Sequence, residues 1–307
     1  MVWFARPRRP VKNLLIPLRA IWSHPLSGQR PWSALWRFVR WQIQCRLHKT
    51  IELAFVDTAR LSVARGMTGL TGNVYCGLHE FETMAFLLHL LRADDLFVDV
   101  GANAGSYTVL AAAVIGSEVI AVEPAPLALA ALSRNIQLNR IDDRVEVHPE
   151  IAAETSGAVE FVVDQDTVNH VATHADAHAA RNRIVTSSLD SMLAGRSPTL
   201  IKLDVEGYEL SVLRGAAACL HSESLLAVIV EINGSEGRYG LPASDLIDLF
   251  HAAGFGCCRY DGFSRQLADA DPTQTCGNAI FVRRRDEVAR RLGSARQFHI
   301  CAVNQQL

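Results

Sequence analysis

Three stretches of the sequence put charged residues or glycines where an apolar run ends, and each could do chemistry there. The first is VDVGANAG, Val98 to Gly105. Gly101 would let the backbone turn sharply beside a ligand, and Gly105 would let a following helix start close to it. Amides at a helix N-terminus are free donors, and Asp99 could accept hydrogen bonds or face an ammonium group. The second is VIAVEP, with Glu123 standing 22 residues beyond Gly101. A carboxylate there could take both ribose hydroxyls of an adenosine, at roughly 1.5–3 kcal/mol for each hydrogen bond. It would equally suit the positive end of a helix dipole. The third is IKLDVEGYEL, Ile201 to Leu210. Lys202, Asp204 and Glu206 sit on and just after an apolar run, and charge in such a place costs energy unless it is paired or used. We read Asp204 as functional, because it falls at the carboxyl end of the run. Lys202 and Glu206 are read either as functional or as an ion-pair partner and a helix start.

The first loop separates two cofactor classes. A dinucleotide fingerprint, G-x-G-x-x-G, needs its second glycine for backbone contact with pyrophosphate. Here the three positions are Gly101, Asn103 and Ser106. Side chains at 103 and 106 disfavour that approach, whereas S-adenosyl-L-methionine has no phosphate and does not need it.

These residues must be positioned by a sheet. From residue 96 strands and helices alternate: LFVDV (96–100), a helix over 104–115, EVIAV (118–122), a helix over 126–138 and RVEVH (144–148). AVEFVV (158–163) and RIVTSSL (183–189) read as a less regular extension of the sheet. TLIKLDV (199–205), a helix over 207–220, LLAVIVEI (225–232), a helix over 243–253 and strands near 255–260 and 279–283 complete the pattern. Such alternation predicts a mainly parallel, doubly wound α/β sheet. Ligands of these sheets bind beyond the carboxyl ends of the strands, which selects the positions after Val100, Val122 and Leu203. Upstream, Pro31 is suited to the first turn of a helix running to about residue 50. Residues 51–78 read as a β-rich or irregular lead-in and 80–92 as an amphipathic helix.

VDVGANAGSYT, AVEP, TSSLDSML and IKLDVEGYELSVLRGA, in this order, resemble the FkbM family of methyltransferases over about residues 78–284. The resemblance implies a Rossmann-like class I fold with a seven-stranded sheet that binds S-adenosyl-L-methionine. It also implies O-methylation of sugars, glycolipids or related natural products. Carried over residue by residue, the cofactor loop falls on Asp99, Gly101, Asn103 and Gly105, and the ribose acid on Glu123. The segment after the fourth strand falls on Asp204, Glu206 and Gly207. It makes Asp204 and Glu206 the catalytic candidates, Asp204 touching the cofactor as well. The family's acid just upstream of the core could be Glu80 or Glu82, and Glu82 is taken as the cofactor-binding one. No metal ligand is assigned. The chain divides into an arm and lead-in (1–77), the methyltransferase domain (78–284) and a basic tail (285–307). Two readings compete. A nicotinamide-dependent oxidoreductase is opposed by Asn103 and Ser106, and a non-catalytic membrane-associated scaffold is opposed by the acids at 99, 123 and 204.

Other features stand outside these motifs. His170, His174 and His178, with Asp164, Asp166 and Asp176 nearby, would share one face of a helix and could bind zinc or cover the acceptor pocket. His79, Glu231 and Asn233 are polar candidates near the expected pocket. Composition is that of a globular protein, with 49% hydrophobic and 20% charged residues. The 7 cysteines are odd in number and form no C-x-x-C pair, so buried thiols in a reducing cytoplasm are expected. Residues 1–50 carry ten Lys and Arg, no Asp or Glu, and all five Trp, leaving 20 Lys and Arg against 32 Asp and Glu elsewhere. That arm could contact the inner membrane surface peripherally, pack on the domain or a second copy, or bind nucleic acid, the least favoured of the three. No apolar run is long enough to span a bilayer, and no apolar segment of signal-peptide type follows the basic N-terminus. The oligomeric state is left open.

Overall fold

The computed structural model describes residues 21–162, 169–173, 176, 180–240, 242–274 and 277–307. Helix α1 (Pro31–Leu47) starts on the expected proline and buries Ala34, Phe38, Trp41 and Cys45, residues three or four apart that share one helical face. The lead-in is more regular than its glycines suggest. Strands β1 (Thr50–Ala54) and β2 (Arg60–Ala64) form an antiparallel hairpin, followed by α2 (Thr68–Cys76) and α3 (Phe81–Leu90). Helix α3 buries every residue but Glu82, so its amphipathic character is weaker than the sequence reading implies.

The core then alternates as expected: β3 (Leu96–Val100), α4 (Ser106–Val109, continued as a π-helix over Leu110–Ile115), β4 (Glu118–Val122), α5 (Pro126–Asn139) and β5 (Val145–His148). Strands β6 (Ile151–Ala152), β7 (Gly157–Val162), β8 (His170–Val171) and β9 (Arg181–Ser187) come next, then α6 (Leu189–Leu193), β10 (Leu200–Leu203), α7 (Glu209–Arg214) and α8 (Ala217–His221). The chain continues through β11 (Ala227–Ile232), α9 (Ala243–Ala252), β12 (Gly256–Asp261), β13 (Gln266–Asp269) and β14 (Gly277–Val282). The central sheet has the order β13-β12-β14-β11-β10-β3-β4-β5. Strands β5, β4, β3, β10 and β11 run parallel, and β14 is antiparallel to its neighbours. This is a Rossmann-like α/β fold. The chain winds outward from β3 in one direction and returns beside it at β10, so the switch point lies between these two strands. The strand beyond the expected seven is β13, a hairpin partner of β12 alone.

Two expectations need correction. Strands β7 and β9 do not extend the central sheet. They join β6 and β8 in a separate sheet of order β6-β9-β7-β8, whose Phe161, Val159, Val171 and Ile184 gather with Ala125 and Ile151 in a cluster of their own. The helix expected over 207–220 is broken at Gly215, where a Cβ would come within 2.0 Å of the Ala153 carbonyl oxygen.

The C-terminal segment folds back. Helix α10 (Arg285–Gly293) is tied to the sheet by an ion pair between Arg291 and Asp95 at 2.6 Å. Strands β15 (His299–Ile300) and β16 (Gln305–Gln306) close a final hairpin. Phe298, Ile300 and Leu307 share one hydrophobic cluster with Phe38, Trp41, Leu61 and the residues of α3. The arm helix and the tail thus complete the core on one face of the sheet. The described cysteines are free thiols, all buried but Cys301.

Candidate active site

A cavity of about 310 Å³ opens beyond the carboxyl ends of β3, β4, β10 and β11, at the switch point. One half is built by the loops after β3 and β4. The N–H groups of Gly101 and Ala102 both donate to the Val122 carbonyl, at 2.9 and 3.1 Å. Gly101 has φ +78°, and a Cβ there would lie 1.9 Å from the Asp204 carbonyl oxygen. The glycine is therefore demanded by the neighbouring strand as well as by any ligand. Glu123 bridges the two loops: Oε2 accepts the Asn103 N–H and Oε1 the Ala125 N–H, both at 2.8 Å. Burial pushes its carboxyl up to about 7, and these two donors moderate the rise. Asp99 is 1% exposed and accepts the Thr108 hydroxyl at 2.7 Å. Burial raises its carboxyl too, against the pull of Lys202.

The other half is crowded with charge. Lys202 pairs in register with Asp99 across β10 and β3, which turns both side chains to one face. Its Nζ lies 2.6 Å from Asp204 Oδ2 and 4.8 Å from the centre of the Tyr107 ring. Burial works against the ammonium charge, but Asp204, Glu80 and Asp99 raise the group above the ordinary lysine value. The Tyr107 hydroxyl donates to Glu80 at 2.5 Å and lies 2.6 Å from the Thr83 hydroxyl. Glu206 holds a left-handed φ of +56°, and Arg238 donates to its carbonyl at 2.8 Å. Burial and then Asp204 raise the Glu206 carboxyl, while Arg238 and His170 pull it down. Burial, Asp204 and Glu206 push Glu231 up to about 8, and a hydrogen bond to Asp204 favours the protonated form. Carboxylate oxygens of Asp204, Glu206 and Glu231 lie within 4.8 Å of one another. Such a set of oxygens could hold a hard divalent cation, a grouping that no spacing in the sequence reveals.

Asp99, Gly101, Asn103, Glu123, Asp204 and Glu206 therefore all line one cavity, with His79 and Glu231. Three carried-over residues do not. Gly207 lies behind the wall and donates its N–H to Glu209 at 3.2 Å. Gly105 faces α5, where a Cβ would lie 2.5 Å from Leu132 Cδ1, so it serves helix packing. Glu82 turns to the sheet and accepts the Tyr260 N–H at 2.8 Å, leaving Glu80 as the upstream acid in the wall. Asn233 accepts the Ser235 N–H at 2.9 Å and caps a turn. His170 lies on a strand instead of a helix, buried and 3.3 Å from Asp176. The helical face proposed for the three histidines thus fails at its first member; His174, His178, Asp164 and Asp166 lie outside the described residues.

Several wall residues escaped the sequence reading. Phe161 and Val171 come from the small sheet, Glu150 from the bend that leads into it, and Tyr107 and Tyr208 from helix starts. Tyr239 fastens the small sheet, donating to the Val171 carbonyl at 2.8 Å and meeting the Tyr208 ring edge-on. Tyr107 and Tyr208 had a signal, each standing just after a glycine of a quoted motif.

Residues 99–257 match the family described as the Methyltransferase FkbM domain. The hexuronic acid methyltransferase AglP of Haloferax volcanii is 30% identical over 157 residues, which cover 50% of this chain and 62% of that protein. The match thus spans less than two thirds of that relative's length. Among solved structures, the precorrin-6y C5,15-methyltransferase of Geobacter metallireducens has a TM-score of 0.39 at 11% identity, covering 72% of this chain and 93% of that one. The tRNA m1G37 methyltransferase of M. jannaschii has a TM-score of 0.40 at 13% identity, covering 76% and 57%.

Proposed function

Because the chain belongs to the FkbM family of methyltransferases, we propose that it moves a methyl group from S-adenosyl-L-methionine to a hydroxyl of a sugar or sugar-bearing lipid. Membership overturns the oxidoreductase and non-catalytic scaffold readings. The observation that carries the finer proposal is one cavity joining a backbone-fixed acid, Glu123, to the Lys202–Asp204–Glu231 cluster.

The residues fit that donor. Seven carboxylates line the cavity, and the lysine among them is already bonded to Asp204, which suits a ligand carrying ammonium and sulfonium charge. Glu123 is held by two backbone donors with acceptor capacity left for ribose hydroxyls. When bound, S-adenosyl-L-methionine supplies an electrophilic methyl group. The chain's own part is to hold the acceptor oxygen in line and receive its proton. Lys202 holds Asp204 in place at 2.6 Å, and Glu231 is hydrogen-bonded to the same carboxylate, so the pair can accept a hydroxyl proton as the new C–O bond forms. The sugar class is supported by the hexuronic acid named for the Haloferax volcanii relative.

Calorimetric titration with S-adenosyl-L-methionine and, separately, NADH tests the donor. Micromolar binding of the first alone is expected; binding of NADH alone would overturn the proposal. Methyl transfer to a panel of glycosides then tests the acceptor, and transfer confined to amines would remove the hydroxyl.

A further inference from the structure

Helix α1 is apolar on two opposite faces. Ala34, Phe38, Trp41 and Cys45 face the core. On the far side Trp32, Trp36, Val39, Ile43 and Leu47 are exposed, by 74%, 66%, 40%, 55% and 73%. At 100° per residue these five fall within one narrow stripe along the helix. Trp22, also exposed, meets Trp32 edge-on at 5.9 Å between ring centres. Packing onto the domain accounts for Trp41 but leaves these three Trp uncovered.

The stripe is bordered by cations. Arg40 flanks it on one side and Arg46 on the other, both exposed, and the first acidic residue of the chain is Glu52. Upstream, residues 1–20 add Arg6, Arg8, Arg9, Lys12 and Arg19. No helix among the described residues is long and apolar enough to cross a membrane. Tryptophans favour the boundary between hydrocarbon and headgroups, and lysine or arginine beside them is attracted to anionic lipid. We propose that this face of α1 docks the protein onto the surface of an anionic bilayer, the helix lying in the headgroup plane with Trp32, Trp36 and Ile43 inserted.

A second copy of the chain fits the face poorly. An isologous contact through the stripe would bring Arg40 and Arg46 of both helices together, with no acid on either helix to pair them. Nucleic acid fits poorly too, because Val39, Ile43 and Leu47 offer aliphatic surface where phosphates and bases need donors or rings.

Flotation of the full chain with phosphatidylcholine vesicles, with and without 30% phosphatidylserine, tests the proposal. At about 0.1 M salt, where charges within roughly 10 Å still interact, partitioning onto the anionic vesicles should be at least about tenfold stronger, with a blue shift of tryptophan emission. The variant W32S/W36S/I43S changes only exposed side chains and should keep the wild-type melting temperature while losing about tenfold in partitioning. R40E/R46E should lose the preference for anionic lipid. Equal binding to both vesicle types, or a triple variant that binds as the wild type does, would overturn the proposal. So would a wild-type dimer that the triple variant dissolves, or DNA duplex binding that R40E/R46E abolishes in the absence of vesicle binding.

Discussion

The two halves of the cavity hold their acids differently. On the side of β3 and β4, each carboxylate is fixed by its own donors: Glu123 by two backbone N–H groups and Asp99 by Thr108. On the side of β10 and β11, Asp204, Glu206 and Glu231 crowd one another, with a single buried lysine between them and Asp99. The first arrangement is a grip whose geometry is set by fixed donors. The second is a store of like charge held together by one lysine. The halves should therefore fail in different ways, the first in binding and the second in turnover.

The largest effects belong to the half with fixed donors. Gly101→Ala puts a methyl group against the Asp204 carbonyl oxygen at a backbone angle that favours glycine, so it disturbs both halves at once. It should abolish detectable donor binding and transfer. Glu123→Ala removes two hydrogen bonds expected to a ribose, and at roughly 1.5–3 kcal/mol each the Kd for S-adenosyl-L-methionine should rise about 100-fold or more by calorimetry. An unchanged Kd would break the distinction between the halves.

Asp204→Asn is the counterpart. It should lower kcat by about 100-fold, the scale of a lost general base, and leave donor Kd within about threefold. A comparable loss in Kd would show that the crowded half also grips the donor. Glu231 sharpens this further through pH. Its carboxyl is pushed up to about 8, so if the pair must be free to accept a proton, the rate should climb from pH 6 to about 8. Glu231→Gln should flatten that rise, and a climb that survives the substitution would take Glu231 out of the proton path. Acceptor charge should matter to a smaller degree. Seven acids in the wall favour neutral glycosides over uronates by about tenfold in kcat/KM, and a preference for uronates would require a cation among Asp204, Glu206 and Glu231.

The half with fixed donors was legible in the sequence because it is local. Asp99, Gly101 and Asn103 lie within one turn, and Glu123 ends the very next strand, so strand–loop–helix spacing alone brings them together. Asp204 was legible because a charge at the end of an apolar strand is costly unless it is paired or used. Glu231 could be named but not given a role, since its part depends on β11 settling beside β10. Tyr107 and Glu80 meet only because α3 lies beneath α4. Gly105 and Glu82 show the converse. Each fits the family pattern at its position, yet Gly105 answers to Leu132 and Glu82 to Tyr260, contacts that exist only once the layers are packed. The small sheet was misread because its strands alternate like sheet strands anywhere, and only the pairing of β6 with β9 sets them apart from β5.

Stability against pH offers the cleanest comparison, because Glu209 lies outside the cavity wall. Its Oε1 accepts the Val205 and Gly207 N–H groups at 3.1 and 3.2 Å, while Oε2 is buried without a hydrogen-bond partner among the described residues. Burial pushes its carboxyl up to about 7, as it does for Glu123. A group whose folded value is raised above its unfolded one adds stability that is complete below about 4.5 and is lost as pH rises through about 7. The ligand-free protein should therefore melt lower at pH 8 than at pH 5. For Glu209 alone the raised value corresponds to about 3 kcal/mol. Glu209→Gln, uncharged at every pH, should match the wild type at pH 5 and exceed it by about 5 °C at pH 8. S-adenosyl-L-methionine should reduce the slope contributed by Glu123, whose carboxylate it would contact, and leave that of Glu209 in place. Equal suppression of both slopes by the ligand would mean that the two acids titrate as one network, and the division of the cavity from its surroundings would have to be redrawn.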